Sequence, residues 1–351
     1  MALKLKQKPT IVDLFSGCGG LSFGLEQAGF KIVAGIDNWE DSLITFKKNH
    51  SGSKILKADL GKTTPREICK KLGLIQGKID VVVGGPPCQG FSISGKRNPE
   101  DPRNRLYKSF VDFVSFLKPK IFLMENVPNL VSMQEGKIKN TIIKDFEKEG
   151  YKVSWKIMDA SEYGVPQKRK RVFFIGLKNG KEFIFPIPKT QPIISSKEAL
   201  SDLPEETLLE GYNYQSLALS DYQKLMRNDS LGIYNHVATI HTEKTKSIIN
   251  MVPDGGNYKS LPKHLHSTRK VNIAWTRLNS KKPSYTMDTG HNHIFHYKYN
   301  RVPTTRETAR IQSFPDKFIF VGGKTSQLKQ VGNAVPPLLA RELGKEMIKY
   351  L

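Results

Sequence analysis

Thr10-Ile11-Val12-Asp13-Leu14-Phe15-Ser16-Gly17-Cys18-Gly19-Gly20 decides how this chain folds. Its first half is an apolar, β-branched run that predicts a strand over residues 10–15. Its second half is a glycine-rich turn that opens a helix expected over 21–28. Glycines let the backbone turn sharply and come close to a bound molecule. Beyond it, strands are expected over 31–36, 54–58, 79–83, 121–125, 152–158 and 171–177, with helices over 40–49, 106–117 and 138–149 between them. Strand and helix patterns in alternation predict an α/β fold with a doubly wound, mostly parallel sheet built from βαβ units, Rossmann-like in plan.

After residue 177 prolines, asparagines and tyrosines become frequent, and clusters such as Pro186-Ile187-Pro188 and Asp254-Gly255-Gly256-Asn257 interrupt the periodicity. A second, smaller and irregular domain is expected over 178–325. An amphipathic helix expected over 333–351 returns to the first domain, which then comprises 1–177 plus 326–351. For a chain of 351 residues two domains are the natural expectation. No apolar stretch approaches the roughly 18 residues that span a membrane. The basic start, residues 1–9, leads into a strand without the apolar segment of a signal peptide. Cys18, Cys69 and Cys88 form an odd set without metal-like spacing, so neither a disulfide framework nor a metal site is expected, and a reducing cytoplasm is.

The 55 Lys and Arg residues against 33 Asp and Glu give a net charge of +22, which favours a polyanionic partner held through phosphate contacts. A lysine-rich surface that merely reflects coding bias is the plainer alternative.

Gly84-Gly85-Pro86-Pro87-Cys88-Gln89-Gly90-Phe91-Ser92 follows the apolar run 79–83. Two prolines with fixed φ stiffen the approach to one cysteine at the end of an expected strand, which suits a presented nucleophile. An ordinary buried thiol would also satisfy this stretch. In the opening turn the glycine pattern is not Gly-x-Gly-x-x-Gly. Asp37 stands 20 residues after Gly17, where a carboxylate can accept from ribose hydroxyls, and Asp59 ends the third expected strand within reach of an adenine edge. An adenosine-type cofactor without a pyrophosphate fits better than a dinucleotide, and a purely structural glycine turn is the alternative. Glu125 at a strand end suits a proton-carrying carboxyl, or simply a helix cap or salt bridge. Arg169 and Arg171 alternate with Lys168 and Lys170, so on a strand the two pairs project to opposite faces, and a phosphate-binding basic strand would look the same.

Taken together, Asp13 to Gly20, Pro86-Pro87-Cys88-Gln89, Glu125-Asn126-Val127, Gln167-Lys168-Arg169-Lys170-Arg171 and Gln330-Val331-Gly332-Asn333-Ala334-Val335-Pro336-Pro337 resemble the ordered motifs of the cytosine-5 DNA methyltransferases of bacterial restriction–modification systems. Arg277-Leu278, Pro283-Ser284-Tyr285-Thr286 and the run from Arg306 to Pro315 match further stretches, so the resemblance covers almost the whole chain. It implies an S-adenosylmethionine-dependent methyltransferase fold with a target-recognition domain over 178–325. The enzyme would transfer a methyl group to C5 of a flipped-out cytosine in a specific double-stranded DNA sequence, through a covalent adduct of Cys88 with C6.

The resemblance also implies site residues. Cys88 is the nucleophile, Glu125 the carboxyl for N3 and the exocyclic amine, Arg169 a contact to the flipped cytosine and Arg171 its support. Around S-adenosylmethionine it places Asp13, Phe15, Ser16, Gly17, Gly19 and Gly20, then Asp37, Asn38, Trp39, Asp59 and Leu60, with Pro86, Leu106, Asn333 and Ala334. Trp39 and Asn38 compete for the position stacked on adenine. Gln89, Ser92, Ser94, Arg103 and Gln167 would contact the substrate, from a closing loop over 91–105 in the case of the middle three. Expected base readers are Arg227, Asn228, Asn235, His236, His241, Asn257, Lys263, His264, His266, Arg269 and Asn272. A monomer acting without a membrane, bound to nucleoid DNA in a bacterial cytoplasm, is the expected setting. A cognate restriction endonuclease would act on the same sequence without a stable complex. An RNA (transfer RNA) cytosine-5 methyltransferase, a non-catalytic DNA-binding relative and a dinucleotide-dependent oxidoreductase are the competing readings. The last is disfavoured by glycine spacing and charge, and the second by the presence of Cys88, Glu125, Arg169 and Asn333.

Overall fold

Apolar runs that are buried on both faces pair as parallel strands, because helices must cover each side of such a sheet. The computed structural model describes residues 7–87, 104–188, 193–205, 210–266, 275–287 and 293–351. Cys88, Gln89, Ser92, Ser94, Arg103, Arg269 and Asn272 therefore lie outside the described residues. The described residues divide into two compact units. The first comprises Met1–Asp159, Lys170–Pro188 and Leu339–Leu351, and the second Ala160–Arg169 and Lys189–Leu338.

The first unit is built on β1 (Thr10–Leu14), β2 (Lys31–Asp37), β3 (Lys54–Lys57), β4 (Val81–Gly84), β5 (Ile121–Asn126), β6 (Lys152–Asp159) and β7 (Lys170–Leu177), in the order β3-β2-β1-β4-β5-β7-β6. β7 alone runs against its neighbours β5 and β6, and the other pairings are parallel. The order reverses between β1 and β4, the kind of switch point at which open α/β sheets bind ligands beyond their carboxyl ends. Ile11, Val12, Leu14, Val81, Val82 and Val83 have no exposed surface, which explains why these strands read as unbroken apolar runs.

Helices α1 (Gly20–Gln27), α2 (Glu40–Asn49), α3 (Pro65–Leu72), α4 (Asn104–Leu117) and α5 (Lys137–Lys148) follow or connect the strands. Phe110, Phe113, Val114, Leu117, Ile142 and Phe146 pack onto Val12, Val82, Phe122 and Phe174 as one core. α3 was not expected from periodicity. It carries a full capping box, in which the Thr64 side chain accepts from the Glu67 amide and Glu67 accepts from the Thr64 amide, with Pro65 in the first turn.

In the second unit lie α6 (Ser196–Leu200), α7 (Asp221–Arg227), α8 (Glu243–Asn250), the short parallel pair β8 (Thr276–Arg277) and β9 (Ile294–Phe295), α9 (Thr305–Ile311) and α10 (Lys324–Asn333). Residues 160–169 and 326–338, expected with the first domain, group here. Their backbones explain it: Lys168 donates to the Ser284 carbonyl, and Gln312 donates to the Ala334 carbonyl. The helix expected over 333–351 begins four residues later, as α11 (Pro337–Met347), and closes in a 3-10 turn (Ile348–Tyr350), because α10 ends at Asn333 and Pro337 can open a helix but not continue one.

α9 is buried along its whole length despite carrying Arg306, Glu307 and Arg310. Its charges are compensated. Arg310 lies between Asp202 at 2.5 Å and Asp316 at 2.6 Å, and Arg301 pairs with Glu307 at 2.8 Å. Arg277 spends its guanidinium on the carbonyls of Val252, Ile249 and His296. Breaking such a pair leaves uncompensated buried charge. Arg310→Met should therefore destabilise the second unit by about 3–5 kcal/mol. Urea unfolding followed by tryptophan fluorescence of Trp275, in the small core of Ile249, Val252, Leu261, Phe295 and Val302, measures it.

Candidate active site at the strand ends

The turn after β1 is shaped by glycines with left-handed backbone, Gly17 at φ +52 and Gly19 at φ +92. The Gly17 amide donates to Asp37 Oδ2 at 2.8 Å, and the Trp39 amide donates to Asp37 Oδ1 at 2.9 Å. One carboxylate at the end of β2 thus fixes both the turn and the start of α2. Open space surrounds the position a Cβ on Gly17 would take. Phe15 also has a left-handed backbone, at φ +56, and is half-buried.

Beneath the turn, Asp13 is buried and accepts from the Ser22 hydroxyl at 2.6 Å. Burial, and secondarily the neighbouring Asp37, pushes its carboxyl up to about 7 against the hydroxyl bond. Asp37 is also raised by burial. Burial likewise pushes the Cys18 thiol up to about 12, so it is inert as a nucleophile.

The other expected cofactor contacts are spread along the same edge. Asp59 Oδ1 accepts from the Gly61 amide at 2.9 Å, and Leu106, in the first turn of α4, lies against Gly61. Asn38 is exposed and Trp39 half-buried, with its carbonyl accepting from the Ser42 hydroxyl. Ser16 and Gly20 are buried, and Leu60 belongs to the core. In the second unit Asn333 is the exposed last residue of α10, followed by half-buried Ala334.

The second turn leaves β4 through Gly84 and Gly85. A Cβ on Gly85 would stand 2.8 Å from Glu125 Oε2, so a side chain there would displace the carboxylate. Asn126 is buried and donates through Nδ2 to the Pro86 carbonyl at 2.8 Å, while its Oδ1 accepts from the Val127 amide. Asn126 thus ties the strand that carries Glu125 to the turn that leads to Cys88. Glu125 Oε1 meets Arg171 Nε at 3.0 Å. The antiparallel register sets Glu125 opposite Phe173, which makes Arg171 its diagonal neighbour on the same face.

Three groups of expected residues are engaged within the second unit. Arg169 lies before β7 rather than on it, is buried, and donates through Nη2 to the Gly332 carbonyl at 2.7 Å. Gln167 is buried with both ends of its amide engaged, to Gln312 and to the Met287 amide. Among the base readers, Arg227 pairs with Asp202 and lies over the Tyr214 ring, Asn235 brackets Phe320 through both amide atoms, and His236 is buried between Thr304 and the Pro204 carbonyl. Desolvation keeps His236 below the usual imidazole range. His241 and His266 bond to Val302 and Leu261, whereas Asn228, Asn257, Lys263 and His264 are exposed. The positioning residues Gly85, Asn126 and Ser22 were not singled out. For Asn126 the signal was available in its place directly after Glu125.

Paired turns at the carboxyl ends of parallel strands, one shaped by glycines and one ending against a carboxylate–guanidinium pair, place the candidate site at the switch point of an α/β sheet. The chain belongs to the C-5 cytosine-specific DNA methylase family, whose model matches residues 9–349. It is 38% identical to the type II methyltransferase M1.HphI of Haemophilus parahaemolyticus, over 97% of this chain and 87% of that protein. It is also 38% identical to the type II methyltransferase M.DdeI of Desulfomicrobium norvegicum, over 97% and 88%. Among solved structures, a prophage-encoded DNA modification methyltransferase (E. coli) superposes with a TM-score of 0.77 at 29% identity, covering 97% of this chain and 99% of that one. Among the described residues no helix is long and apolar enough to cross a membrane.

The raised Asp13 carboxyl has a signed consequence. A folded value of about 7 against the ordinary 3.8 favours the protonated form, so this stabilisation is present at low pH and is lost as pH rises through that window. Asp13→Asn should remove the loss. Thermal unfolding at about pH 5 and about pH 8 should show the wild type losing a few kcal/mol more than the variant.

Proposed function

We propose that the first unit binds S-adenosylmethionine at the ends of β1, β2 and β3 and methylates C5 of a cytosine turned out of double-stranded DNA, while the second unit reads the surrounding sequence. The observation that carries this reading is the Glu125–Arg171 pair, 3.0 Å apart, at the end of β5. Its partner carboxylate oxygen faces the backbone of Gly85, three residues before the only cysteine in the second turn.

The residues present fit an adenosine-type cofactor. Each Asp37 oxygen accepts one backbone amide and retains lone pairs for a ribose hydroxyl, and Gly17 leaves room for close approach. Asp59 would accept from the adenine amine, Leu106 and Phe15 would pack on its ring, and Asp13 would hold the turn from beneath. S-adenosylmethionine, when bound, would supply an electrophilic methyl group on a sulfonium sulfur.

Cytosine C5 is a poor nucleophile, and the chain's own groups must change that. The Cys88 thiolate adds to C6, forming the S–C6 bond while the C5–C6 π electrons shift toward C5. Glu125 holds a proton at N3 as charge builds on the ring, which lowers the barrier to addition. Arg171, already against Glu125, is the guanidinium beside the base, the place first given to Arg169. After methylation a base removes the C5 proton, the electron pair restores the C5–C6 double bond, and the Cys88 thiolate leaves. A ring stacked in a duplex is closed above and below, so the target must be flipped out for this addition. Ser92, Ser94, Arg103 and Gln89 are proposed to close on the DNA. Exposed Lys263 and His264 are proposed to reach base edges, with Asn228 and Asn257, whose amides also bond to Asp229 and the Lys259 amide.

The names of its relatives support a type II restriction–modification setting, in which a separate endonuclease recognises the same sequence without a stable complex. A monomer bound to nucleoid DNA in the cytoplasm completes the proposal. Cys88→Ala should abolish methyl transfer from labelled S-adenosylmethionine to duplex DNA while gel-shift binding of DNA persists. Turnover by that variant would overturn the adduct mechanism.

A further inference from the structure

The edge of the large sheet opposite the proposed site is lined with lysines that take no part in the chemistry above. Lys31 is the first residue of β2 and Lys152 the first of β6. Lys8 and Lys78 stand just before β1 and β4, and Lys118 and Lys120 lead into β5. Lys178 follows β7, which reaches this edge with its last residue because it runs against both of its neighbours. Main-chain bonds set these positions side by side. The Lys31 amide donates to the Pro9 carbonyl, the Thr10 hydroxyl to the Lys78 carbonyl, the Lys120 amide to the Asp80 carbonyl and the Lys178 amide to the Lys120 carbonyl. The Gly77 amide donates to the Leu117 carbonyl, which brings Lys78 next to Lys118. The six strand ends from β2 to β6, about 4.8 Å apart, extend over roughly 24 Å, the axial length of about seven base pairs.

Two of these lysines are already engaged. Lys120 pairs with Asp80 at 2.8 Å, and Lys178 donates to the Glu149 carbonyl and lies over the Tyr151 ring. Lys8, Lys31, Lys78, Lys118 and Lys152 are exposed and form no ion pair or side-chain hydrogen bond among the described residues. The carboxylates near this edge are Asp80, which also accepts from Thr10, Glu26 in the last turn of α1, Glu147 and Glu149 at the end of α5, and Glu182 beyond β7. Lys31, Lys8, Lys78 and Lys118 therefore make an unpaired run across four adjacent strands, β2-β1-β4-β5. Lys47 and Lys48, and Lys70 and Lys71, sit in the last turns of α2 and α3, where they complement the helix dipoles. Strand starts carry no comparable dipole, so that explanation does not extend to the row. Like charges placed side by side repel one another, a cost that a polyanion laid across them would remove.

We propose that this lysine row is a second nucleic-acid surface, which takes the phosphate backbone of duplex DNA without reading its sequence. One molecule would then hold a further DNA segment besides the one it methylates. The choice of duplex DNA rests on the reading of the chain as a DNA methyltransferase, whereas the row itself does not. Lysine suits the task, because its ammonium is a point charge on a flexible stem that follows a phosphate without a fixed geometry. The sheet supplies the spacing, and the contacts weaken as salt competes for the phosphates.

The test uses the whole chain at low salt with short duplex fragments of mixed sequence, one set on beads and one fluorescent in solution. The wild type should carry fluorescent duplex onto the beads. A variant with Lys31→Gln, Lys78→Gln, Lys118→Gln and Lys152→Gln should lose that capture while it still binds the bead-bound fragments and methylates them at the wild-type rate. Arginine at the same four positions should restore capture. The salt dependence of DNA binding should fall in the glutamine variant by about one unit of log–log slope for each lysine that had held a phosphate. Thermal unfolding at the wild-type midpoint would show that the variant is folded. A wild type that captures nothing, or a glutamine variant that captures as well as the wild type, would overturn the second surface. Capture of duplex RNA in preference to duplex DNA would overturn the choice of partner. Capture that the glutamine variant loses, in a wild type that methylates no fragment, would uphold the row and overturn the methyltransferase reading instead.

Discussion

Everything at the proposed site depends on how closely β1 and β4 meet at their carboxyl ends. A Cβ on Gly84 would stand 2.2 Å from the Leu14 carbonyl, so no side chain can be accommodated there. Leu14 and Gly84 are paired in register, and the chain leaves the sheet from both at the same level. Because strand order reverses between these two strands, their following turns diverge from a common point instead of being covered by a crossover helix. The glycine turn and the Gly85-Pro86-Pro87 turn thereby begin side by side. β5 is the next strand beyond β4, and its end carries Glu125 and Asn126 to the same edge.

The site is held by polar side chains bonded to backbone and by one carboxylate–guanidinium pair. Asp37 accepts amides on both sides of the first turn, Asn126 binds the Pro86 carbonyl of the second, and Glu125 is aimed by Arg171 across an antiparallel pair. The single reversed strand, β7, is what brings a guanidinium to this edge. A parallel strand in its place would deliver its first residues to the opposite edge of the sheet. The second unit solves a different problem. It buries arginines beside its apolar clusters, and their guanidiniums are bound to carbonyls and carboxylates.

The sheet was legible because central parallel strands are apolar throughout, and all seven expected strands appear within about two residues of their expected bounds. α3 was missed because it is only eight residues long, although Thr64-Pro65-Arg66-Glu67 spells a capping box and Ile68, Cys69 and Leu72 mark its buried face. The two arginines of the Gln167 to Arg171 stretch could not be told apart by alternation. Where the strand begins decides their environments, and it begins between them, at Lys170. Arg227, Asn235 and His236 illustrate the same limit. Residue type suggests a base contact, but whether the donors are already committed to Asp202, Phe320 and Pro204 is a property of tertiary packing. The opposite ambiguity applies to Asp13 and Gly85, whose importance lies in what surrounds them.

These strand ends are proposed to assemble a cytosine-5 methyltransferase of DNA. Bisulfite sequencing of DNA from cells that express the chain tests it most directly, because conversion of cytosine but not of 5-methylcytosine identifies both the atom modified and its sequence context. Protected cytosines should be confined to one short recurring sequence, with none in cells expressing Glu125→Ala. Cytosines converted throughout the genome, as in cells without the chain, would contradict it.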